Sequence, residues 1–250
     1  MALIQNAKKG REDGGYSRLF GNSDLGALVS KTHATSISAG TELEKLISQT
    51  HGSLMTASQL GDWLGNQLAP GTYLIDKPLI RVHLKTVIQS STEPDFIVIV
   101  IVDSKVFVIE LKDGDTFDTK KVDGEVRAAK DFGALLHSFL LTRKVSHKGL
   151  PYTVEVRFCC FNQSDKEKIV TGLKGRISKK EAMTGDEFCK LIGISYQGIL
   201  AKRAADQAKN LAYFLDELVK IQSIAHALAL KLQPAAPLPL QNEDLPDEPA

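Results

Sequence analysis

Apolar residues along this chain recur with two different periods, which predict a mixture of strands and helices. Between Glu93 and Asp115 the sequence reads EPDFIVIVIVDSKVFVIELKDGD, two apolar strands joined by a turn at Asp103 to Lys105. Residues 152–161, YTVEVRFCCF, are apolar on both faces in their second half and predict a strand buried within a sheet. Shorter β patterns at 73–75 and 79–88 predict two further strands.

Helix starts are marked by capping boxes, in which a Ser or Thr is followed three residues later by a Glu or Gln. Four such boxes begin at Thr41, Thr56, Ser178 and Thr184. Apolar spacing predicts two longer helices at 124–141 and 198–232. The order of helix, β run, helix, strand and helix is typical of an α/β sandwich with a mixed sheet.

Composition divides the chain into three parts. Residues 1–39 are rich in Gly, Ser and Thr and are predicted to form a loosely structured arm, followed by a globular domain at 40–232. Residues 233–250 are Pro-rich and acidic without a single basic residue, which predicts a disordered tail. Without that tail the chain is net basic, a weak indication of a polyanionic partner.

The remaining composition excludes several classes of protein. The three cysteines show no metal-binding spacing and no disulfide framework, which is typical of a reducing compartment. No apolar run reaches the length of a membrane span or of the core of a secretory signal. We therefore expect a cytoplasmic protein with no membrane partner.

The charged residues at the open end of the predicted hairpin are the main candidates for chemistry. A two-residue loop at Asp103-Ser104 places Asp95 opposite Lys112, and Asp95, Glu110 and Lys112 then share one face. Two diagonal carboxylates can hold one divalent cation, with the carbonyl of Leu111 as a further ligand. A lysine beside that ion can orient water or stabilise the transition state of attack on a phosphodiester.

Pro94-Asp95 followed by Glu110-Leu111-Lys112 resembles the motif of the PD-(D/E)XK nuclease superfamily, which includes most type II restriction endonucleases. The resemblance is firmest over 40–161 and implies a restriction-endonuclease-like αβα sandwich with a central mixed β-sheet. It implies that Asp95 and Glu110 bind Mg²⁺ and that Lys112 assists hydrolysis, so that 40–232 is a nuclease domain.

The same resemblance extends to an earlier glutamate. The family often adds a glutamate from an early helix in a Gly-x-x-apolar-Glu setting, which Gly40 to Glu44 matches. Glu44 is thus implied as an accessory metal ligand. Because it stands three residues after Thr41, it could instead complete a capping box.

Other readings of the charged residues stay open at this point. The hairpin mouth could hold a salt bridge between Asp95 and Lys112 with no catalytic role. The short motif also recurs at 103–105 and 118–120, but the first copy lies in the turn and the second follows the strand. The acidic pair Asp113 and Asp115 is predicted to accept backbone N–H groups in a turn.

Two further segments are candidates for contact with DNA. A basic cluster is either a solvated loop or a phosphate-binding surface; it contains Lys174, Arg176, Lys179 and Lys180. Residues 186–210 fit a helix-turn-helix spacing in which the second helix would present Gln197, Lys202 and Arg203 to the major groove. The alternative for this segment is a tight αα-corner in which Gly193 ends the first helix.

These features predict a Mg²⁺-dependent, sequence-specific endonuclease of the type II restriction class. It would hydrolyse double-stranded DNA to 5′-phosphate and 3′-hydroxyl ends, and the family implies that it acts as a homodimer. The alternatives are a nuclease of repair, recombination or transposition with the same site, or a non-catalytic DNA-binding protein that uses a helix-turn-helix.

Overall fold

The computed structural model describes residues 2–8, 14–52, 54–114 and 122–232. Its strands are β1 (Thr72–Asp76), β2 (Phe96–Val100), β3 (Lys105–Lys112), β4 (Ser146–His147), β5 (Leu150–Pro151), β6 (Thr153–Cys160) and β7 (Ala182–Thr184). Its helices are α1 (Gly15–Phe20), α2 (Ser23–His51), α3 (Ala57–Leu64), α4 (Lys77–Leu79), α5 (Val122–Thr142), α6 (Lys166–Gly172), α7 (Gly185–Leu191), α8 (Tyr196–Lys220) and α9 (Gln222–Lys231). Helix α4 continues directly into a π-helical turn, Ile80–Leu84.

A five-stranded mixed sheet in the order β1-β2-β3-β6-β7 forms the centre of the fold. Strands β1, β2 and β3 are antiparallel neighbours, whereas β6 and β7 extend the sheet in the parallel direction. Helix α5 makes the crossover from β3 to β6 that a parallel pair requires. The short strands β4 and β5 form a separate hairpin.

Apolar side chains cover both faces of the sheet. On one face, Val106 and Val108 of β3 pack with Phe132 and Leu136 of α5. On the other face, the apolar residues of β2 and β3 pack against α2, α7 and the start of α8. The strands and helices together contribute to this cluster Leu43, Ile47, Phe96, Val98, Ile109, Phe188 and Ile199. Because helices cover both sides, all five residues of β2 are buried. The predicted αβα sandwich with a mixed sheet is confirmed.

The hairpin of β2 and β3 has a longer turn than the sequence pattern suggested. Val100 pairs with Lys105, so the turn contains four residues and the predicted two-residue loop is wrong. A two-residue hairpin loop favours positive φ and therefore Gly or Asn, and this turn contains neither. Ser104 alone takes a positive φ of 49° and donates its N–H to the carbonyl of Ile101.

The longer turn changes the partner of Asp95 but not the shared face. Phe96 pairs with Ile109, and one residue further in this register Asp95 stands across from Glu110 instead of Lys112. The error is two residues, and strand side chains alternate with a period of two. The same residues therefore still share a face.

The strand predicted at 79–88 is wrong, because the chain is helical up to Leu84 and then forms turns. Ile80 and Leu84, four residues apart, are buried, whereas Val82 between them is 66% exposed. The start of this helix is fixed by Asp76, whose carboxylate accepts the N–H of Leu79, and by the proline in the first turn. A short run of alternating apolar residues does not by itself distinguish the period of a strand from the period of a helix.

The helix start predicted at Thr41 is also wrong. Helix α2 begins at Ser23, where the side chain of Asn22 accepts the N–H of Leu25, and it continues to His51. The proposed boundary between 39 and 40 falls inside this helix. The division of the chain into an arm and a domain stays a prediction, and residues 9–13 and 233–250, including the predicted disordered tail, lie outside the described residues.

The other capping boxes have different outcomes. Those at Thr56 and Thr184 form as predicted and begin α3 and α7. Ser178 and Glu181 also exchange the expected hydrogen bonds, but they close a turn before β7 and no helix follows. The helix predicted at 198–232 is divided at Ile221, whose extended backbone separates α8 from α9.

Two expectations from composition can be compared with the described residues. The three cysteines are free and buried, in agreement with the absence of a disulfide framework. Within the described ranges, none of the helices combines the length and the hydrophobicity that crossing a bilayer requires.

Candidate active site

Asp95 is buried where the open end of the hairpin meets the end of β1. Its Oδ2 atom accepts the backbone N–H of Leu111 at 2.7 Å, and its Oδ1 atom accepts a hydrogen bond from Lys77 Nζ at 2.7 Å. The first bond ties the start of β2 to the end of β3. The carboxylate is therefore held in one orientation by a backbone donor and a side-chain cation.

Three charged residues lie in a row across the ends of three neighbouring strands. In the β1–β2 register Asp76 pairs with Phe96, so the next residue, Lys77, stands across from Asp95. On the other side of Asp95, the β2–β3 register places Glu110. The row Lys77, Asp95, Glu110 thus follows from antiparallel pairing alone.

Lys77 was missed by sequence reasoning. It precedes a segment that was interpreted as a strand, and no motif includes it. Once β1 is known to be antiparallel to β2, its position one residue past the paired Asp76 is the signal that identifies it.

Lys112 lies between two glutamates. Its Nζ atom is 3.1 Å from Glu110 Oε1 and 3.4 Å from Oε1 of Glu125, near the start of α5. Burial lowers the pKa of Lys112, but Glu110 and Glu125 outweigh that effect and the net shift is upward. The ammonium form is therefore favoured at neutral pH. Glu125 was also missed by sequence reasoning, because only folding brings α5 to the strand end.

Glu44 lies inside α2, which begins at Ser23, so it caps no helix start and the capping-box interpretation of this residue is wrong. Burial raises its pKa to about 7, and the negative charge of Asp95 adds to the shift, with Lys77 and Lys112 acting in the opposite direction. These mutual effects place Glu44 in the same electrostatic cluster as the strand-end residues.

Glu110 shows the same behaviour. Burial raises its pKa to about 7, Asp95 raises it further, and Lys112 opposes the shift. Glu44, Asp95, Glu110 and Glu125 together outnumber the two lysines by two charges when all are ionised. We refer to these four carboxylates with Lys77 and Lys112 as the strand-end cluster. Its surplus of negative charge favours the binding of a cation.

The chain is 38% identical over 230 residues to the type II restriction enzyme HhaII of Haemophilus parahaemolyticus, and the alignment covers 90% of this chain and 96% of the relative. The chain belongs to the type II restriction enzymes. It is a site-specific endodeoxyribonuclease, which confirms the predicted enzyme class and argues against the non-catalytic alternative. Neither a protein-family model nor a solved structure matches the chain.

The strand-end cluster of this restriction enzyme suits Mg²⁺ better than a metal held in a closed protein cage. In the part of the chain that the structure describes, no three His, Cys, Asp or Glu side chains come together as a ready-made metal site. Mg²⁺ typically uses only one or two carboxylates and completes its shell with water and substrate oxygens. Asp95 and Glu110 supply hard oxygens, and the buried Oε2 atom of Glu125 has no hydrogen-bond partner. The donor set therefore fits Mg²⁺.

In the restriction enzyme, the segment 186–210 forms two helices, α7 and α8, joined by a tight turn at Gly193. Gly193 takes a positive φ of 73°, and Ile194 donates its N–H to the carbonyl of Cys189 to end α7. Helix α8 then buries Ile199 against the sheet. A helix-turn-helix and an αα-corner both have this geometry, so the role of 186–210 stays a prediction.

The three predicted base-reading residues of α8 have different surroundings. Gln197 and Lys202 are exposed, whereas Arg203 is buried and forms a salt bridge with Asp113. The guanidinium of Arg203 is therefore engaged within the protein. Asp113, which was predicted to accept backbone N–H groups, uses its carboxylate for this arginine instead, and Asp115 lies outside the described residues.

The basic cluster after α6 is exposed and partly ion-paired. Arg176 contacts Asp123 at 2.8 Å, and Lys179 contacts Glu167 at 2.8 Å. Lys174 and Lys180 are exposed beside them. Phosphate binding by these four residues stays a prediction, as does base contact by Gln197 and Lys202.

Proposed function

We propose that this restriction enzyme is a PD-(D/E)XK nuclease with Asp95, Glu110 and Lys112 as its catalytic residues. The observation that supports this most strongly is the register that places Asp95 across from Glu110, with Lys112 beside Glu110 at the same strand end. The cleaved substrate would be double-stranded DNA at a specific sequence.

The cofactor would be Mg²⁺, held by Asp95 and Glu110 with the carbonyl of Leu111. An ion held there would neutralise phosphate charge and lower the pKa of a water. Glu44 is proposed as an accessory ligand, because its raised pKa couples it to Asp95 and its place within α2 leaves it no capping role.

The protein residues would position the reacting groups and balance their charge. Asp95 is oriented by the N–H of Leu111, so its free lone pairs have a fixed direction. Lys112, favoured as an ammonium ion in the metal-free chain, would stabilise the negative charge that develops on the phosphate oxygens.

The products follow from the direction of displacement. In the proposed step, water attacks phosphorus and gives up a proton to solvent, the bond to the 3′ oxygen breaks, and that oxygen takes up a proton from solvent. The phosphate then stays on the 5′ end and a hydroxyl on the 3′ end. A palindromic site on two strands would be cut by two copies of this site, so we also propose a homodimer with two-fold symmetry.

The test is digestion of several sequenced plasmids with and without Mg²⁺. We expect discrete, reproducible fragments with Mg²⁺, no cleavage with a chelator, and no cleavage by the Asp95→Ala variant. Smears or cleavage that follows DNA structure would indicate a nuclease of repair, recombination or transposition. Unchanged cutting by Asp95→Ala would show that the proposed site is wrong, and light scattering of the free protein tests the dimer.

A further inference from the structure

We propose that Lys77 is a built-in competitor for the divalent cation of the active site. Its ammonium group holds Asp95 in the metal-free enzyme and leaves this carboxylate when the ion binds. The inference rests on the proposed function, because it takes Asp95 as a metal ligand.

The two oxygens of Asp95 have partners of different kinds. Oδ2 accepts the backbone N–H of Leu111, a bond that belongs to the framework of the hairpin. Oδ1 accepts from the side chain of Lys77 at the same distance of 2.7 Å. An ion that approaches Oδ1 therefore meets the lysine, and only the lysine can move without disturbing the strands.

Two positive charges cannot share this oxygen at low cost. The ammonium group and a divalent ion would repel each other within a site that is largely closed to water. The repulsion is relieved when the lysine side chain moves away from Oδ1.

The side chain of Lys77 is free to move although its backbone is fixed. The backbone at Lys77 is fixed by the Asp76 cap and by Pro78 in the first turn of α4. The side chain of Lys77 is 33% exposed, whereas that of Asp95 is 6% exposed.

An adjacent pocket can receive the displaced ammonium group. Lys77 lines this pocket, which has a volume of about 320 Å³. Glu44 lines the same pocket and already interacts with Lys77 electrostatically. A rotation of the lysine side chain into this pocket would release Asp95 and open Oδ1 to the ion.

The test is binding of Mn²⁺ to the full-length enzyme without DNA, followed by electron paramagnetic resonance of the free ion and by calorimetry. Lys77→Gln removes the competing charge, and we expect its Kd for Mn²⁺ to fall by about tenfold relative to the parent. Lys77→Arg keeps the charge and should keep weak binding. A Kd for Lys77→Gln that is unchanged or higher than that of the parent would overturn the inference.

Two control variants separate this inference from the proposed function. Lys45→Gln changes another lysine of the same pocket, one that pairs with Glu42 at the helix surface, and should leave the Kd unchanged. Asp95→Asn should abolish Mn²⁺ binding. If it does so while Lys77→Gln binds no more tightly than the parent, only the competition is wrong. If Asp95→Asn binds normally, the metal site itself is wrong.

Discussion

Arg203 of α8 binds both carboxylate oxygens of Asp113, the residue directly after Lys112, with contacts of 2.6 and 2.7 Å. Both side chains are largely buried, and planar two-point pairs of this kind are the strongest ion pairs in proteins. The pair connects the C-terminal helices to the end of the strand that bears Glu110 and Lys112. We infer that it anchors this strand end.

Loss of that anchor should be costly. We expect Arg203→Ala to lower the free energy of unfolding by about 3 kcal/mol, because Asp113 then keeps a largely buried charge without its partner. Denaturant unfolding measures the change. The neighbouring Lys202→Ala, which removes an exposed side chain, should cost less than about 0.5 kcal/mol. Equal losses of unfolding free energy for the two variants would show that the pair of Arg203 and Asp113 stabilises the fold no more than an exposed side chain does.

Lys112 should contribute to the rate of cleavage and not to the affinity for DNA. We expect Lys112→Gln to lower kcat by about 100- to 1000-fold, since a positioned donor to developing charge is lost. Binding of the cognate duplex in Ca²⁺, measured by fluorescence anisotropy, should stay within about threefold of the parent. A large loss of binding with an unchanged kcat would contradict the proposed role.

The raised pKa of Glu44 predicts a dependence of stability on pH in the metal-free enzyme. Its pKa rises from an ordinary 4.5 to about 7 in the folded chain, so the folded state binds this proton more tightly than the unfolded state. The stabilisation is complete below pH 4.5 and is lost as the pH rises through about 7.

Glu44→Gln should remove that dependence. With a chelator present, the melting temperature of the variant minus that of the parent should increase as the pH is raised from about 5 to about 8. Comparing the two proteins at each pH cancels the contribution of every other titrating group. A difference that is constant across this range would contradict the raised pKa of Glu44.

The π-helical turn after β1 can be tested by truncation of its side chains. Leu84→Ala should lower the free energy of unfolding by about 2 to 5 kcal/mol, because it opens a cavity in the core. Val82→Ala should cost well under about 1 kcal/mol, since Val82 is mostly exposed. In a strand the two residues would share a face, so comparable losses would restore the strand interpretation.

Local patterns sufficed for many elements of the fold. The boxes at Thr56 and Thr184 begin helices as expected, since their partners lie three residues away and need no tertiary context. The apolar stretch at 152–161 becomes β6, a strand covered on both faces. The capping box at Ser178 does not begin a helix, because the same hydrogen bonds can also close a turn.

The candidate site was predictable only in part. The motif residues Asp95, Glu110 and Lys112 could be identified because strand alternation survives an error of two residues in the turn. The family resemblance identifies Glu44, but the helix that carries it begins at Ser23 and not at Thr41. Lys77 and Glu125 could not be found, since each reaches the cluster from an element whose position depends on folding.

The sequence by itself determined the four central strands β1, β2, β3 and β6, most of the helices and the charged residues at the open end of the hairpin, because periodicity and capping act over a few residues. Tertiary structure decided that Lys77 stands across from Asp95, that Glu125 reaches Lys112, and that Arg203 faces Asp113. These contacts join residues up to 90 positions apart. They depend on how sheet and helices pack, which no local pattern encodes.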